Sequence, residues 1–379
     1  MTARQRFTRR LADGLKQRQA DYLKRSLSLP SGIDFTSNDY LGLARSDALA
    51  RELLSQPEKL GASASRLLRG NHPIHAKAEA RLATFSGTEA SLLFTSGFSL
   101  NSGIYSALMV PTDVVFSDEL NHASIIDGLR LAKATKQVFP HQDFTQLERL
   151  LQNQTEAGQA FVVTESLFSM DGDITNLPAL VDLCDRYDAL LIVDEAHATG
   201  LFGERGSGLV EEQNVRDRVL LSIHTAGKAL GTQGAWVAAD NVVIQHLVNY
   251  CRSFIYSTGI SPYLANALSH AVEHVESCPT LRQKASENAA HFRSEAAKRH
   301  LPVGQSHRGP IVPILIGRAE RALRVANQVQ EAGFDVRAIR PPTVAPGTSR
   351  LRVVIHAVHD EETLNALAHE IQRALKENP

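Results

Sequence analysis

The sequence contains few cysteines, and their spacing is not that of a metal or disulfide site. Cys184, Cys251 and Cys278 are the three cysteines in 379 residues, and no two of them form a CxxC pair. An odd number at irregular spacing suggests neither a disulfide framework nor a structural zinc site. We therefore expect a reducing compartment and predict a cytoplasmic protein.

The chain also has little net charge and no long apolar run. The formal net charge is −1 and the sequence pI is near 7.0, so bulk electrostatics predict no nucleic-acid or other polyanionic partner. No apolar run approaches the roughly 18 to 20 residues of a membrane span. The basic N-terminus lacks the apolar segment of a secretory signal, although its arginines leave a transit peptide open. We predict an amphipathic helix over residues 7–25, with these side chains on one face: Phe7, Leu11, Leu15 and Tyr22.

The length and the order of patterns predict two lobes. A chain of 379 residues exceeds one average domain of roughly 100 to 200 residues, and 43% hydrophobic residues can form a sizeable core. We predict an N-terminal helical arm (1–40), a large domain (41–275) and a small α+β domain (276–379). In the small domain we expect strands at residues 311–316, 335–339 and 350–356, with helices between and after them.

Apolar strands alternate with helical patterns through the large domain. Such alternation predicts right-handed crossovers and a mostly parallel sheet with helices on both faces. Helices are expected at residues 73–86, 144–152 and 177–187. Residues 252–262 have the pattern of a further strand that ends in hydroxyls, and a helix-initiating turn is the alternative. The seven predicted strands are residues 91–95, 113–117, 137–140, 160–165, 190–194, 218–223 and 234–239.

Four polar side chains follow the ends of two of these strands. Asp194 ends the apolar run of residues 190–193, and His197 follows three residues later. Thr225 and Lys228 come after the next predicted strand. Ligands of open α/β sheets bind beyond the carboxyl ends of the strands, so these side chains are expected to share one crevice. A lysine that forms a Schiff base and a carboxylate that keeps a pyridine nitrogen protonated are what pyridoxal phosphate (PLP) requires.

The segment Asp194-Glu-Ala-His197 also spells a nucleotide-hydrolase motif, and this alternative fails. A helicase requires an upstream phosphate loop of the form GxxxxGK[ST]. Gly227-Lys228 is followed by Ala229 and has no glycine at the required distance before it.

With these residues in place, the sequence resembles the fold-type I PLP-dependent transferases, and within them the α-oxoamine synthases. The resemblance runs from Asn38 to His356 through seven ordered motifs. It implies a mostly parallel seven-stranded sheet with a smaller C-terminal α+β domain. It further implies that Lys228 forms the Schiff base and later acts as base, that Asp194 holds the pyridinium, and that His122 of the His-Ala-Ser motif lies against the ring.

The resemblance implies contacts for the rest of the cofactor. Gly97 and Phe98, at a strand-to-helix turn, would supply backbone groups. Ser169 of the FSMDGD motif would lie near the phenolic oxygen beside His197. Thr225 would contact the phosphate, and Thr258 would reach the phosphate of a partner subunit, which implies a homodimer.

The loop from Arg340 to Arg352 resembles the RPPTVPxGTxRLR segment of the 8-amino-7-oxononanoate synthase branch of the family. That branch implies L-alanine and a pimeloyl thioester as substrates. Thr343 would contact substrate, Arg352 would bind the amino-acid carboxylate, and Asn38 would lie near the same carboxylate. In the family, an arginine of the N-terminal segment contacts the substrate. In this chain Lys24 and Arg25 lie on either side of the corresponding position.

Several alternatives stay open from the sequence. The acyl carrier is either coenzyme A or an acyl carrier protein, and relatives that use glycine or serine share most of the motifs. A structural subunit with the PLP fold is the alternative that is not an enzyme, although such subunits generally lose the lysine. The chain departs from the family pattern at Ala62, Ala64 and Ala226, where relatives carry glycine or an aromatic residue.

Overall fold

The computed structural model describes residues 1–55, 58–155, 157–305 and 308–379. The described chain divides into two compact units. The larger unit comprises Asn38–Ser169 and Asp173–Ser286, and the smaller unit comprises Met1–Ser37, Met170–Gly172 and Glu287–Pro379. The domain boundaries predicted after residues 40 and 275 remain predictions.

The strands of the larger unit form one seven-stranded sheet, and those of the smaller unit form a three-stranded sheet and a two-stranded pair. In chain order the strands are β1 (Ile33–Asp34), β2 (Ala90–Phe94), β3 (Val114–Asp118), β4 (Thr135–Phe139), β5 (Ala160–Glu165), β6 (Ala189–Asp194), β7 (Leu221–Thr225), β8 (Ala235–Ala239), β9 (Ile311–Gly317), β10 (Phe334–Asp335), β11 (Arg337–Ile339) and β12 (Ser349–Val354).

Helices connect most of these strands, and short 3-10 turns lie at Leu43–Arg45 and Arg216–Arg218. In chain order the α-helices are α1 (Ala3–Ala20), α2 (Asp47–Ser55), α3 (Pro73–Ser86), α4 (Gly97–Leu108), α5 (Ala123–Leu131), α6 (Phe144–Gln152), α7 (Leu177–Arg186), α8 (Leu209–Glu212), α9 (Asn241–Tyr250), α10 (Arg252–Ile255), α11 (Pro262–Ser277), α12 (Pro279–Lys298), α13 (Ala319–Glu331) and α14 (Glu361–Glu377).

The large sheet has the order β2-β8-β7-β6-β5-β3-β4. β8 runs antiparallel to both of its neighbours, and the remaining pairs are parallel. The mostly parallel seven-stranded sheet predicted from the sequence is therefore confirmed. Its parallel strands all present their carboxyl ends to the same edge.

Both faces of this sheet are buried, and its central strands β3, β5 and β6 are apolar up to their polar carboxyl ends. Val114, Phe116 and Val162 belong to a core cluster shared with α6 and α7, whereas Val115 and Val163 belong to a second cluster shared with α4, α5 and α9. Successive residues of a strand point to opposite faces, so a continuous apolar run fills two cores. Each fully buried side chain of this kind stabilises the fold by about 1.5 to 3 kcal/mol.

The smaller unit is the predicted α+β arrangement. Its sheet has the order β11-β12-β9 and is antiparallel, and β1 pairs with β10 in parallel. The core contains Phe35 from the N-terminal segment, Phe292 from α12, Val325 from α13, Leu351 from β12 and Leu367 from α14. The N-terminal segment is thus part of this unit's core.

The sequence interpretation was wrong at residues 252–262. This segment is not a strand: α10 occupies its start, a loop carries the hydroxyls of Ser257 and Thr258, and α11 begins at Pro262. Proline is favoured in the first helical turn because its missing N–H would have no helical partner there. The predicted strand 218–223 also begins three residues too early, because Arg216–Arg218 forms a 3-10 turn.

The N-terminal helix forms, but its apolar face is not buried by this chain. α1 spans Ala3–Ala20 rather than residues 7–25, and no residue of it is buried. Phe7, Leu11 and Leu15 are each at least half exposed. Over the described parts of the chain, no helix combines the length and apolar content that crossing a membrane demands.

One close helix contact can be tested directly. Gly128 of α5 lies against α4, and a Cβ at this position would lie 2.0 Å from the carbonyl oxygen of Asn101 and 2.7 Å from Cδ2 of Tyr105. We expect Gly128→Ala to lower the free energy of unfolding by about 1 to 3 kcal/mol, since the helices must separate. Urea unfolding measures the effect.

Gly14→Ala is the matched control, because Gly14 also lies within a helix and nothing lies within 4 Å of its Cβ position. That substitution should be neutral or stabilise by up to about 1 kcal/mol. Equal effects of the two substitutions would contradict the close packing of α4 and α5.

Candidate active site

Most of the predicted cofactor residues line one cavity in the larger unit. β5 ends at Glu165, β6 at Asp194 and β7 at Thr225, and these three strand ends border the cavity. Its volume is about 160 Å³. The predicted residues that line it are Gly97, Phe98, His122, Asp194, His197, Thr225 and Lys228.

Asp194 is a buried carboxylate with a fixed orientation. Its Oδ2 accepts a hydrogen bond from Nδ2 of Asn101 at 2.8 Å, and its Oδ1 accepts one from the backbone N–H of Ala196 at 2.9 Å. Hydrogen bonds to a carboxylate favour its charged form and offset the cost of burial. The arrangement presents a held negative charge to the cavity.

Asn101 is a site residue that the sequence analysis did not assign. Its amide also donates to Oγ of Ser124 at 3.1 Å, and its Oδ1 accepts from the hydroxyl of Tyr105 at 3.2 Å. Asn101 lies four residues after Gly97 in α4, and therefore on the same side of the helix. The four-residue spacing between Asn101 and the glycine of the strand-to-helix turn is the sequence signal that could have identified Asn101 as a site residue.

His122 begins α5 and presents its ring to the cavity. Its Nδ1 accepts the backbone N–H of Ser124 at 3.2 Å, which caps the helix, and lies 2.8 Å from the Ser124 hydroxyl oxygen. Burial lowers the pKa of His122; Asp194 raises it in part, and Lys228 lowers it further. The neutral imidazole is therefore favoured, and its flat ring suits stacking against an aromatic cofactor.

Glu165 lies in the cavity wall and was named in the sequence only as the start of a motif. Its Oε1 accepts the backbone N–H of His122 at 2.6 Å, and it stands opposite Asp194 in the register of β5 and β6. Burial raises the pKa of Glu165 well above its ordinary value and Asp194 raises it further, although Lys228 lowers it. Glu165 thus holds the backbone of His122 in place.

A short chain of polar contacts ties His197 to the N-terminal part of the larger unit. The hydroxyl of the buried Tyr40 lies 2.6 Å from Nδ1 of His197 and 3.2 Å from Oδ1 of Asn38. Asn38, a predicted substrate residue, is therefore linked to the cavity through Tyr40. Sequence analysis assigned no role to Tyr40, although Tyr40 lies within the same motif as Asn38.

The first turn of α4 supplies anion-binding groups. Ser96 caps the helix by accepting the backbone N–H of Ser99 at 3.1 Å, and the other N–H groups of a first turn lack helical partners. A Cβ at Gly97 would lie 3.8 Å from Oγ1 of Thr225. Because residue 97 is glycine, the space between the helix end and Thr225 stays open to a phosphate.

Lys228 lies in a hairpin that joins β7 to β8. The backbone N–H of Ala226 donates to the Gly234 carbonyl at 2.9 Å, and the N–H of Gly231 donates to the Lys228 carbonyl at 2.9 Å. Ala226, one of the departures from the family pattern, is fully buried in this turn. The hairpin backbone is held on both sides of the lysine, and its side chain lines the cavity.

Two predicted cofactor residues of the larger unit do not line this cavity. Ser169 is half-buried in the loop after β5. Thr258 borders a separate cavity of about 10 Å³ together with Arg66 and Phe254. Their contacts with a cofactor remain predictions.

The remaining predicted substrate residues belong to the smaller unit. Nη2 of Arg25 donates to Oγ1 of Thr343 at 2.8 Å, and Lys24 and Arg25 border a second cavity. Arg352 is buried in β12. Arg350, two residues earlier in the same strand, forms an ion pair with Asp171.

A histidine between two carboxylates anchors the chain near the strand ends of the larger unit. Nδ1 of His141 lies 2.9 Å from Oδ1 of Asp118, and its Nε2 lies 2.7 Å from Oδ2 of Asp173. Burial alone would lower the pKa of His141, but the hydrogen bonds to Asp118 and Asp173 overcome this and raise it to about 10. The charged imidazolium is therefore favoured at neutral pH.

The groups that line the cavity fit PLP. Asp194 can hold a proton on a pyridine nitrogen, and the neutral ring of His122 can cover one face of the pyridine. The amine of Lys228 can bind an aldehyde, and Thr225 with the α4 turn at Gly97 can bind a phosphate. Each part of the cofactor thus meets a group of matching chemistry.

Comparisons with known proteins identify the family of this chain. The sequence matches the family model described as aminotransferase class I and II over residues 30–371. It is 43% identical over 388 residues to the 8-amino-7-oxononanoate synthase of Geobacter sulfurreducens, covering 98% of this chain and 99% of that protein. This match extends over nearly the whole chain.

Solved structures are similar as well. The 8-amino-7-oxononanoate synthase of Francisella tularensis superposes with a TM-score of 0.79 at 27% identity, covering 92% of this chain and 98% of that one. A structure of SPT, a serine palmitoyltransferase, with PLP superposes with a TM-score of 0.90 at 24% identity, covering 100% and 99%. At 24% identity, the similarity to the serine palmitoyltransferase structure shows a shared fold alone.

The role of Asn101 can be tested through cofactor affinity. We expect Asn101→Ala to weaken PLP binding about tenfold, because Asp194 loses one of its two hydrogen bonds. Absorbance titration of the cofactor-free protein with PLP measures the dissociation constant. Ser102→Ala is the control on the same helix, since the Ser102 hydroxyl donates to the Phe98 carbonyl and not to Asp194. Unchanged affinity in Asn101→Ala would contradict this role.

The His141 bridge predicts a pH-dependent stability. The pKa of His141 is about 10 in the folded chain against an ordinary value of 6.5. The stabilisation is therefore complete below about pH 6.5 and is lost as the pH rises through about 10. Thermal unfolding of wild type and His141→Asn should show the largest difference at or just below about pH 6.5 and a shrinking one as the pH rises toward 10.

The exposed His369 on α14 provides the control for this series. His369→Asn should leave the unfolding temperature within the scatter of wild type across the same pH range. A difference between wild type and His141→Asn that grew with pH would show that the imidazolium does not stabilise the bridge.

Proposed function

Since the chain belongs to the class I and II aminotransferase family and, within it, to the 8-amino-7-oxononanoate synthases, we propose that it joins L-alanine to a pimeloyl thioester. The reaction releases carbon dioxide and the free thiol carrier, which is coenzyme A or an acyl carrier protein. The chain is a PLP-dependent acyltransferase of biotin biosynthesis.

The convergence of Asp194, His122 and Lys228 on one cavity supports the proposal most directly. When bound there, PLP supplies an electron sink that stabilises negative charge at the amino-acid Cα. Asp194 keeps the ring nitrogen protonated, and the hydrogen bonds from Asn101 and Ala196 keep Asp194 charged and oriented. His122, neutral and fixed by Glu165, supports the ring face.

Lys228 acts as the proposed base. Its amine would hold the cofactor aldehyde in the resting protein and, when free, would remove the proton from the alanine Cα. A carbon–carbon bond then forms between this Cα and the thioester carbonyl carbon, and the carbon–sulfur bond breaks as the thiolate leaves. Loss of the carboxyl group as carbon dioxide is followed by return of a proton to the same carbon.

Arg352 is the proposed partner of the alanine carboxylate, in a bidentate pair, with Asn38 nearby. Arg352 is buried in β12, and Arg350, two residues earlier in the same strand, forms an ion pair with Asp171. Thr343 is proposed to contact the substrate, with Lys24 and Arg25 from the N-terminal segment.

The cofactor phosphate is proposed to bind the backbone of Gly97 and Phe98 and the hydroxyl of Thr225. Ser169 would approach the phenolic oxygen beside His197. Thr258 would reach the phosphate in a partner subunit, so we propose a homodimer with shared sites. We place this homodimer in the cytoplasm, which agrees with three cysteines that are all free thiols.

The amino acid is the least constrained part of the proposal. One methyl group distinguishes alanine from glycine, and an apolar pocket discriminates by one methyl group through only about 1 to 3 kcal/mol. Thiol release from pimeloyl-CoA should be fastest with L-alanine when L-alanine, glycine and L-serine are compared. Turnover with glycine alone would point to another α-oxoamine synthase, such as a glycine C-acetyltransferase, and leave the mechanism intact.

Lys228→Ala tests whether the chain is an enzyme or a structural subunit. We expect the variant to lose the absorbance near 400 nm that marks the lysine-bound cofactor and to lose thiol release by at least about a hundredfold, because the base is absent. Spectra and thiol release are measured on the same preparations. Lys133→Ala, at an exposed position on the larger unit, is the control and should match wild type.

Identical spectra for wild type and Lys228→Ala would end the enzymatic assignment. A changed spectrum without any thiol release in wild type would keep the cofactor site and remove the pimeloyl thioester as substrate.

A further inference from the structure

Helices α2 and α11 of the larger unit bring together three side chains that the proposed reaction does not use. Glu52 lies on α2, and His270 and Glu273 lie on one face of α11 because they are three residues apart. Nδ1 of His270 and one carboxylate oxygen from each glutamate all lie within 4.8 Å of one another. Among the described residues, this is the one place where three histidine, cysteine, aspartate or glutamate side chains meet so closely.

The imidazole of His270 has a buried nitrogen without a hydrogen bond. Its Nδ1 lies 2.9 Å from Oε1 of Glu52 and 3.6 Å from Oε2 of Glu273. Neither contact has the geometry of a hydrogen bond, and the atom is shielded from water. A buried nitrogen in this state is unfavourable, so a ligand shared by the three side chains would stabilise the arrangement.

The separations between these atoms fit a zinc ion. Zinc binds histidine nitrogen at roughly 2.0 to 2.1 Å and carboxylate oxygen at roughly 2.0 to 2.2 Å, in tetrahedral geometry. The ligand atoms around such an ion are therefore roughly 3.2 to 3.6 Å apart. The 2.9 Å and 3.6 Å separations from Nδ1 of His270 lie close to this range, so small side-chain rotations would complete the site.

The charges near the three side chains also favour a divalent cation. Nε of Arg81 lies 3.6 Å from Oε1 of Glu273, whereas Oε2 is the oxygen nearer His270. Arg81 forms a closer ion pair with Glu276, which is also on α11. The charges of Arg81 and Glu276 cancel, and Glu52 and Glu273 then supply two negative charges at neutral pH.

We propose that Glu52, His270 and Glu273 form a zinc site that joins α2 to α11. A histidine nitrogen among the ligands favours zinc over magnesium and calcium, which bind oxygen ligands. Three protein ligands leave a fourth position for water. The two glutamate side chains are about half exposed, so an ion can reach the site from solvent.

The site would stabilise the fold rather than take part in the chemistry. α2 has two buried side chains, Leu49 and Leu53, and the ion would add a further attachment of this short helix to α11. None of the three zinc ligands lines the cavity at the strand ends. The inference is therefore independent of the proposed function.

Equilibrium dialysis of the PLP-loaded protein against zinc, followed by elemental analysis, tests the proposal. We expect Glu52→Gln to weaken zinc binding at this site by at least about tenfold, because a charged ligand is lost. Free zinc at about a hundred times its dissociation constant should raise the unfolding temperature of wild type by about 3 to 6 °C. The same zinc concentration should raise that of Glu52→Gln by less than about 1 °C, and magnesium should have no such effect on wild type.

Asp47→Asn is the matched control, since Asp47 is an exposed acidic residue of α2 that does not belong to the site. Its response to zinc should equal that of wild type. Glu273→Gln provides a second variant, on α11, and should lose the response to zinc as Glu52→Gln does.

Two results would overturn the proposal. Equal zinc affinity in wild type, Glu52→Gln and Glu273→Gln would show that the three side chains form ion pairs alone. Equal stabilisation of wild type by magnesium and by zinc would show that the nitrogen of His270 is not a ligand.

Discussion

The site depends on a carboxylate that stays charged at the buried end of a parallel strand. An unpaired charge in such a place is costly, and the hydrogen bonds from Asn101 and Ala196 offset that cost at Asp194. The helix that carries Asn101 also packs closely on α5, where Gly128 lies against the Asn101 carbonyl. The residue that orients Asp194 is therefore itself part of a tight helix contact.

Much of this arrangement could be predicted from the sequence, because its signals are local. Continuous apolar runs predict strands that are buried on both faces, and the polar residue that ends each run marks the edge of the sheet where ligands bind. α6 was placed correctly over residues 144–152, since Asp143 caps its first turn. The residues after β6 and β7 were therefore expected together, and they do line one cavity.

The rest could not be predicted, because it depends on contacts between distant segments. Tyr40 and His197 are 157 residues apart, and nothing in either motif indicates their contact. Glu165 was read as the start of a motif, although its burial beside Asp194 decides its protonation. The failure at residues 252–262 has a similar origin: aromatic and hydroxyl residues there resemble a strand, yet the fold places a short helix and a loop.

The hairpin that carries Lys228 determines how the amine can move. Hydrogen bonds on both sides of the lysine pin the main chain between two strands of the central sheet. In the proposed reaction, rotation about side-chain bonds would therefore carry the Lys228 nitrogen between the cofactor and the amino acid. Such rotations are intrinsically fast compared with loop or domain movement. Because the backbone of this hairpin is held by hydrogen bonds, the Lys228 amine would return to the same position after each turnover. The central sheet would not need to rearrange.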